Sequence, residues 1–260
     1  MTNPPKIVVF DLDETLGTFV ELGMFCDALE NYTKNKIERS HFFELMDLFE
    51  EFLRPDIMKI MSFLVKKRAA NKCKKLMIYT NNQGPRSWAE NIAKYFDHKL
   101  NAVVFDDIVA AFKVDGKIVE AGRTSHDKSV GDLLRCTQIP KNAKICFLDD
   151  RYHPRMKHSN VFYINAKPYT HSFTFREMAD RYYKSHGDKV IGERSEFANS
   201  IHKYMNKYGH DVIKKGENEI SVDKVISKKI LQHLKEFLKS GNKTRRGNYS
   251  NKGAGTRKIF

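Results

Sequence analysis

Short apolar runs alternate with amphipathic stretches along most of this chain. IVVF (7–10), KLMIYT (75–80) and AKICFL (143–148) are rich in β-branched and aromatic residues and carry almost no polar positions. That is the character of parallel strands covered on both faces. NAVVF (101–105) and VFYIN (161–165) predict two more strands. Between these runs the period lengthens. SHFFELMDLFEEFL (40–53) brings Phe42, Leu45, Met46, Phe49 and Leu53 to one side, with Ser40 as an N-cap. Pro55 ends that helix or opens the next, DIMKIMSFLVKKRA (56–69). PRSWAENIAKYF (85–96) and DKSVGDLLRC (127–136) also read as helices. Strands alternating with helices predict an α/β fold with a mostly parallel central sheet.

FKVDGKIVEAG (112–122) breaks the alternation and predicts a small β-hairpin insertion turning at Asp115-Gly116. Beyond about residue 186 the strands stop. SEFANSIHKYMNKYG (195–209) and SVDKVISKKILQHLKEFLKSG (221–241) read as amphipathic helices. In the second, Val225, Ile226, Ile230, Leu231, Leu234, Phe237 and Leu238 form one stripe, read first as core packing rather than a partner-binding face. The end of the chain is rich in Gly, Asn and Lys and holds no acid after Glu236. The expected organisation is an α/β domain over 1–186, a helical C-terminal extension over 187–240, and a basic flexible tail over 241–260. Within the first domain, 112–122 is the hairpin and 17–54 leaves room for a small helical cap.

Composition narrows the function classes. The chain has 260 residues, 41% of them hydrophobic, which suffices for a sizeable core. The formal net charge is +14, which favours an acidic partner such as nucleic acid or a phosphorylated protein. Cys26, Cys73, Cys136 and Cys146 are scattered, without C-x-x-C spacing, so neither a zinc site nor a disulfide framework is expected. MTNPPK does not read as a signal peptide, and no apolar run approaches the roughly 18 residues of a membrane span. The expectation is a soluble intracellular protein of cytoplasm or nucleus, without membrane partners.

The chemistry gathers at the carboxyl ends of the expected strands, where open parallel sheets bind ligands. The first strand runs into Asp11, Asp13 and Thr15, the second into Thr80, Asn81 and Asn82, and the third into Asp149 and Asp150. Lys128 opens the helix before that third strand; Lys113, Lys117 and Lys144 are the competing lysines. Clustered carboxylates repel one another, and a hard divalent cation such as Mg²⁺ relieves the repulsion. One carboxylate is then free to act as a nucleophile. His153, His158 and His171 read as loop histidines, and Trp88 as core.

The set Asp11-Leu-Asp-Glu-Thr15, Thr80, Lys128 and Asp149-Asp150 resembles the four motifs of the haloacid dehalogenase (HAD) superfamily in its phosphatase branch, over roughly residues 5–170. The resemblance implies a Rossmann-like fold and Mg²⁺-dependent phosphomonoester hydrolysis. It implies Asp11 as nucleophile, Asp13 as general acid and base, and Thr80 and Lys128 on the phosphoryl group. Asp11, Asp13 (through its carbonyl), Asp149 and Asp150 would form the metal site, with Thr15, Asn81 and Arg151 beside the substrate.

DLDETL and the FLRPDI segment (52–57) are similar to the NLI-interacting-factor-like branch, which acts on the C-terminal domain of RNA polymerase II. That points to phosphoserine or phosphothreonine of a protein. Asp150 stands where that branch usually has Asn, and Thr80-Asn81-Asn82-Gln83 is similar to polynucleotide 3′-phosphatases. Such a phosphatase and a small-metabolite phosphatase stay open. So does a nucleic-acid-binding protein with a vestigial phosphatase domain, binding through the basic tail.

Overall fold

The structure is a computed structural model in which residues 3–190, 192–209, 211–239 and 256–259 are described. Most of the expected basic tail, 241–255 and Phe260, lies outside the described residues. Among the described residues eight strands occur: β1 (Lys6–Phe10), β2 (Lys75–Tyr79), β3 (Asp107–Val109), β4 (Lys113–Val114), β5 (Lys117–Ile118), β6 (Lys144–Asp149), β7 (Val161–Ala166) and β8 (Arg257–Ile259). The helices are α1 (Val20–Thr33), α2 (Arg39–Leu48), α3 (Ile57–Ala69), α4 (Arg86–Leu100), α5 (Val130–Thr137), α6 (Phe175–His186), α7 (Arg194–Met205) and α8 (Glu217–Lys239).

Contacts divide the chain into two compact units. The first comprises Met1–Leu16, Arg54–Tyr169 and Ser221–Phe260. It holds a six-stranded sheet in the order β3-β2-β1-β6-β7-β8, and every pairing is parallel. Numbered along the sheet's own strands this is 3-2-1-4-5-6, the doubly wound order, with its switch point between β1 and β6. Alternation sorts the side chains. Ile7, Val9, Met77, Tyr79, Ile145, Phe147, Val161 and Tyr163 share a core with Leu133 of α5. On the opposite face Phe10 packs edge-on against Phe105, which meets Phe96 of α4, and Phe162 meets Phe237 of α8. The β4–β5 hairpin turns at Asp115 and Gly116, both at positive φ as a two-residue type I′ turn requires.

The second unit comprises Gly17–Leu53 and Thr170–Ile220. Here α7 packs on α1 and α6. Rings of Phe25, Phe49, Phe52, Phe173, Tyr182 and Phe197 interlock, with centroids 5.2–5.8 Å apart in the Phe25–Phe49, Phe52–Phe173 and Tyr182–Phe197 pairs. The expected boundary at 186 therefore moves. Residues 17–53 and 170–220 build a common core, whereas α8 from Ser221 onward belongs to the sheet unit through Ile226, Ile230, Leu234, Phe237 and Leu238, all buried.

Several expected elements shift. NAVVF (101–105) is not a strand, because α4 runs on to Leu100 and turns at Asn101 with φ 46°. Its Val104 and Phe105 are buried by packing, and the ladder begins only at Asp107. The 40–53 helix ends at Leu48, followed by a 3-10 turn over Glu50–Phe52. α1 falls within 17–54, where a small helical cap has room, whereas α6 lies outside every expected element and carries a full capping box between Thr174 and Glu177. Arg257–Ile259, expected within a flexible tail, pairs with Ile164–Ala166 of β7 as the edge strand. No described helix is long and apolar enough to cross a membrane.

Candidate active site

The carboxyl ends of β1, β2 and β6 bring the expected residues together. Asp11 continues the ladder, its amide donating to Leu148 O at 2.9 Å. The chain then turns at Glu14, φ 58°, and the Leu16 amide closes on Leu12 O at 2.9 Å. This tight turn presents Asp11 and Asp13 and buries Thr15. Thr80 follows β2, and Asp149 is the last residue of β6.

Lys128 is the hub. Its Nζ donates to Asp11 Oδ1 and, at 2.7 Å, to Asp149 Oδ2, and the residue is only 2% exposed. The ammonium also lies over the rings of Tyr79 and Phe147, at 5.7 and 5.9 Å. It sits just ahead of α5 rather than in its first turn, because Ser129 is the N-cap, accepting from Asp132 N. Lys113, Lys117 and Lys144 do not pair with these carboxylates among the described residues.

Electrostatics split the two carboxylates that share this lysine. Burial raises Asp11 well above the usual carboxylate range; Lys128 pulls it back and Asp149 pushes it up again. Burial acts the same way on Asp149, but Lys128 and His153 overcome it and hold that carboxyl low. Burial opposes the charge on Lys128 too, yet Asp11 and Asp149 outweigh it, and the ammonium is held above its usual range. Asp150 is pushed to about 6 by burial and then by Asp149. Burial also raises Asp13, whose Oδ2 accepts from Asn82 Nδ2 at 2.7 Å.

Asp11, Asp149 and Asp150 each offer an oxygen, all within 4.8 Å of one another. Asp13 Oδ1 is buried without a hydrogen-bond partner among the described residues. Four carboxylates stand at these strand ends, and the one ammonium pairs with two of them. An oxygen-only, net-negative donor set with an orphaned buried oxygen fits a hard divalent cation.

The expected substrate-side residues fare differently. Thr15 is fully buried and its hydroxyl exchanges hydrogen bonds with Asp150, at 3.1 and 3.2 Å, so it fixes the loop instead of facing a substrate. Asn81 is half-buried and makes no hydrogen bond to the carboxylates among the described residues. Arg151 exposes its side chain, while its amide donates to Asp149 Oδ1 at 2.8 Å. Trp88 is half-buried rather than core. His153 is no free loop histidine, for its Nε2 lies 3.3 Å from Asp149 Oδ2.

Two buried arginines brace the site from behind. Arg123 donates to the carbonyls of Thr80, Ala110 and His126 at 2.9–3.0 Å, and its guanidinium lies 4.9 Å from the Tyr79 ring centroid. Arg54 donates to Thr15 O and Glu14 O at 2.6 Å and to Lys167 O at 3.0 Å. Neither role shows in a linear reading, since the acceptors are carbonyls. The R of the L-R-P segment is the one partial signal. No known protein-family model matches the chain, and no curated protein matches it.

Proposed function

We propose that this protein is a Mg²⁺-dependent phosphatase of the HAD type, hydrolysing a phosphomonoester through an aspartyl-phosphate. The observation that carries the reading is Lys128 bridging Asp11 and Asp149 at the sheet's switch point, with Asp13 and Thr80 on the neighbouring loops. The Asp11 carboxylate attacks phosphorus as the bond to the leaving oxygen breaks. Asp13, raised by burial and aimed by Asn82, gives its proton to that oxygen. Water then attacks the acyl phosphate, Asp13 takes its proton, and inorganic phosphate leaves with Asp11 restored. Thr80 Oγ1 accepts from Asn82 N at 2.9 Å, which leaves its own O–H for a phosphoryl oxygen. Lys128 offsets the charge that develops on the transferring group. Asp11, the Asp13 carbonyl, Asp149 and Asp150 would hold Mg²⁺, which supplies charge neutralisation for phosphate beside carboxylate.

The preferred substrate is phosphoserine or phosphothreonine of a protein, on the likeness of DLDETL and L-R-P. The second reading is a polynucleotide 3′-phosphate, on the likeness of the T-N-N-Q stretch and the net charge of +14. The test is hydrolysis of an aryl phosphate with Mg²⁺ and with chelator, beside Asp11→Asn. Mg²⁺-dependent turnover lost in Asp11→Asn is expected; turnover that survives Asp11→Asn would refute the nucleophile. Phosphopeptides and 3′-phosphorylated oligonucleotides, compared at equal concentration, decide between the substrates.

A further inference from the structure

The amino-terminal edge of the sheet, opposite the carboxylates, holds a cleft of about 980 Å³ within the sheet unit. Lysines line it from several elements: Lys67 of α3, Lys72 and Lys74 before β2, Lys144 opening β6, and Lys235 and Lys239 of α8. Lys6 adds a seventh, and no acidic residue lines the cleft. Those six lysines form no ion pair with a carboxylate among the described residues. Burial, then the nearby Lys72, hold the Lys6 ammonium below its usual range.

A structural explanation covers only part of this. Lys6 donates to the Phe237 and Leu238 carbonyls at 2.8 and 3.3 Å, completing the end of α8. Lys67 ends α3, where cations suit the helix dipole. Lys72, Lys74 and Lys144 lie outside helices, Lys72 just past the end of α3 and Lys144 donating to Asn160 Oδ1 at 2.8 Å. Aromatic rings stand among the charges. Phe63 has Lys67 and Lys235 at 5.4 and 5.9 Å from its centroid, and Phe162 is half-buried in the same wall.

We propose that this cleft binds single-stranded nucleic acid, with phosphates along the lysines and a base stacked on Phe63. Interleaved cations and π-faces in a concave cleft are what an unpaired strand needs, and they favour it over a duplex or a flat lipid surface. The chain's own C-terminal segment is no rival occupant by charge, because residues 240–260 contain no acid. The inference is independent of the phosphatase reading.

The experiment is fluorescence anisotropy of a labelled oligothymidylate of about 15 nucleotides, titrated with the full chain across salt concentrations. Lys72→Gln/Lys74→Gln/Lys235→Gln is expected to weaken binding by about tenfold or more and to lower the salt slope by about 2, since each lost phosphate contact removes about 0.7. Phe63→Leu, which keeps apolar bulk but removes the π-face, should weaken it by about fivefold or more. The thermal midpoint of each variant checks folding. A full chain with Lys243→Gln, Arg245→Gln, Arg246→Gln and Lys252→Gln should keep most of the affinity. If that variant loses binding while the cleft variants retain it, the cleft is not the site. Equal displacement by polyglutamate and by unlabelled oligonucleotide of matched charge would reduce the cleft to a general anion surface and overturn the proposal.

Discussion

Asp11→Asn should stabilise the metal-free protein while abolishing its chemistry. The Asp11, Asp149 and Asp150 oxygens lie within 4.8 Å of one another. At an effective dielectric constant of about 20, each such repulsion costs about 3.5 kcal/mol, so Asp11 carries about 7. A lysine at hydrogen-bonding distance returns about 6 kcal/mol on the same scale. The pair energies nearly cancel, and the burial cost of the Asp11 charge decides the sign. Asparagine keeps the oxygen that Lys128 reaches and discards the charge. In chelator the variant should gain on the order of 1–3 kcal/mol, read as a higher urea midpoint or about 2–4 °C of Tm per kcal/mol. Mg²⁺ should invert the ranking. At a hundred times its Kd it would add about 2.7 kcal/mol to the wild type, and far less to a variant missing a ligand. An Asn variant less stable than wild type in chelator would show that the Lys128 pair outweighs desolvation and would refute the reasoning.

Other perturbations probe the remaining parts. Lys128→Met leaves Asp11 and Asp149 facing each other and should cost about 3–5 kcal/mol in chelator, partly recovered in Mg²⁺; an unchanged urea midpoint would remove Lys128 as the compensating charge. Arg123→Lys keeps a cation but not three carbonyl contacts at once, so aryl-phosphate turnover should fall about tenfold or more with the loop that carries Thr80; full activity would show that the brace is dispensable. Glu21, in the second unit, is 2% exposed, and burial pushes it from 4.5 to about 7. The folded state therefore holds its proton more tightly than the unfolded one. The wild type should lose stability as pH rises from 4.5 through about 7, on the order of 3 kcal/mol in all. Glu21→Gln should be more stable than wild type at pH 8 and nearly equal to it below pH 4.5; a gap independent of pH would point elsewhere.

The legible parts of the fold were those fixed by local pattern. IVVF, KLMIY and KICFL are buried on both faces, so unbroken apolar runs located β1, β2 and β6 and with them Asp11, Thr80 and Asp149. Asp115-Gly116 specified its own turn. What escaped depends on distant partners. NAVVF has strand composition, but where α4 stops decides whether those residues pair. α6 is polar on most of its surface, and its buried Met178, Ala179 and Tyr182 matter only against α7 and the Phe25 cluster. Of the site, residue types and strand ends were readable. Lys128 stands out by its place ahead of a helix and in the motif order, and the geometry separates it from Lys144, which opens β6 and donates to Asn160 Oδ1. Thr15 reads in one dimension as fixing the loop or standing beside the substrate, and its bond to Asp150 favours the loop.

The chain leaves and rejoins the sheet unit through adjacent backbones. Gly17 bridges Leu53 in antiparallel fashion, Thr18 N donates to Phe52 O at 2.8 Å, and Arg54 N donates to Leu16 O at 3.0 Å. The ends of the 17–53 excursion thus stand about 5 Å apart, the spacing of paired strands. Such a closed excursion is a natural cassette. A short turn can replace it, or a longer insertion extend it, at a loop-closure cost that grows only slowly with length and with Asp11 and Arg54 left in place. The shared aromatic core sets the condition: Phe25 and Phe49 pack on Tyr182 and Phe173, so a viable exchange must carry 170–220 along with 17–53. Diversity in this architecture should accordingly come in matched pairs of segments, far apart in sequence and swapped together.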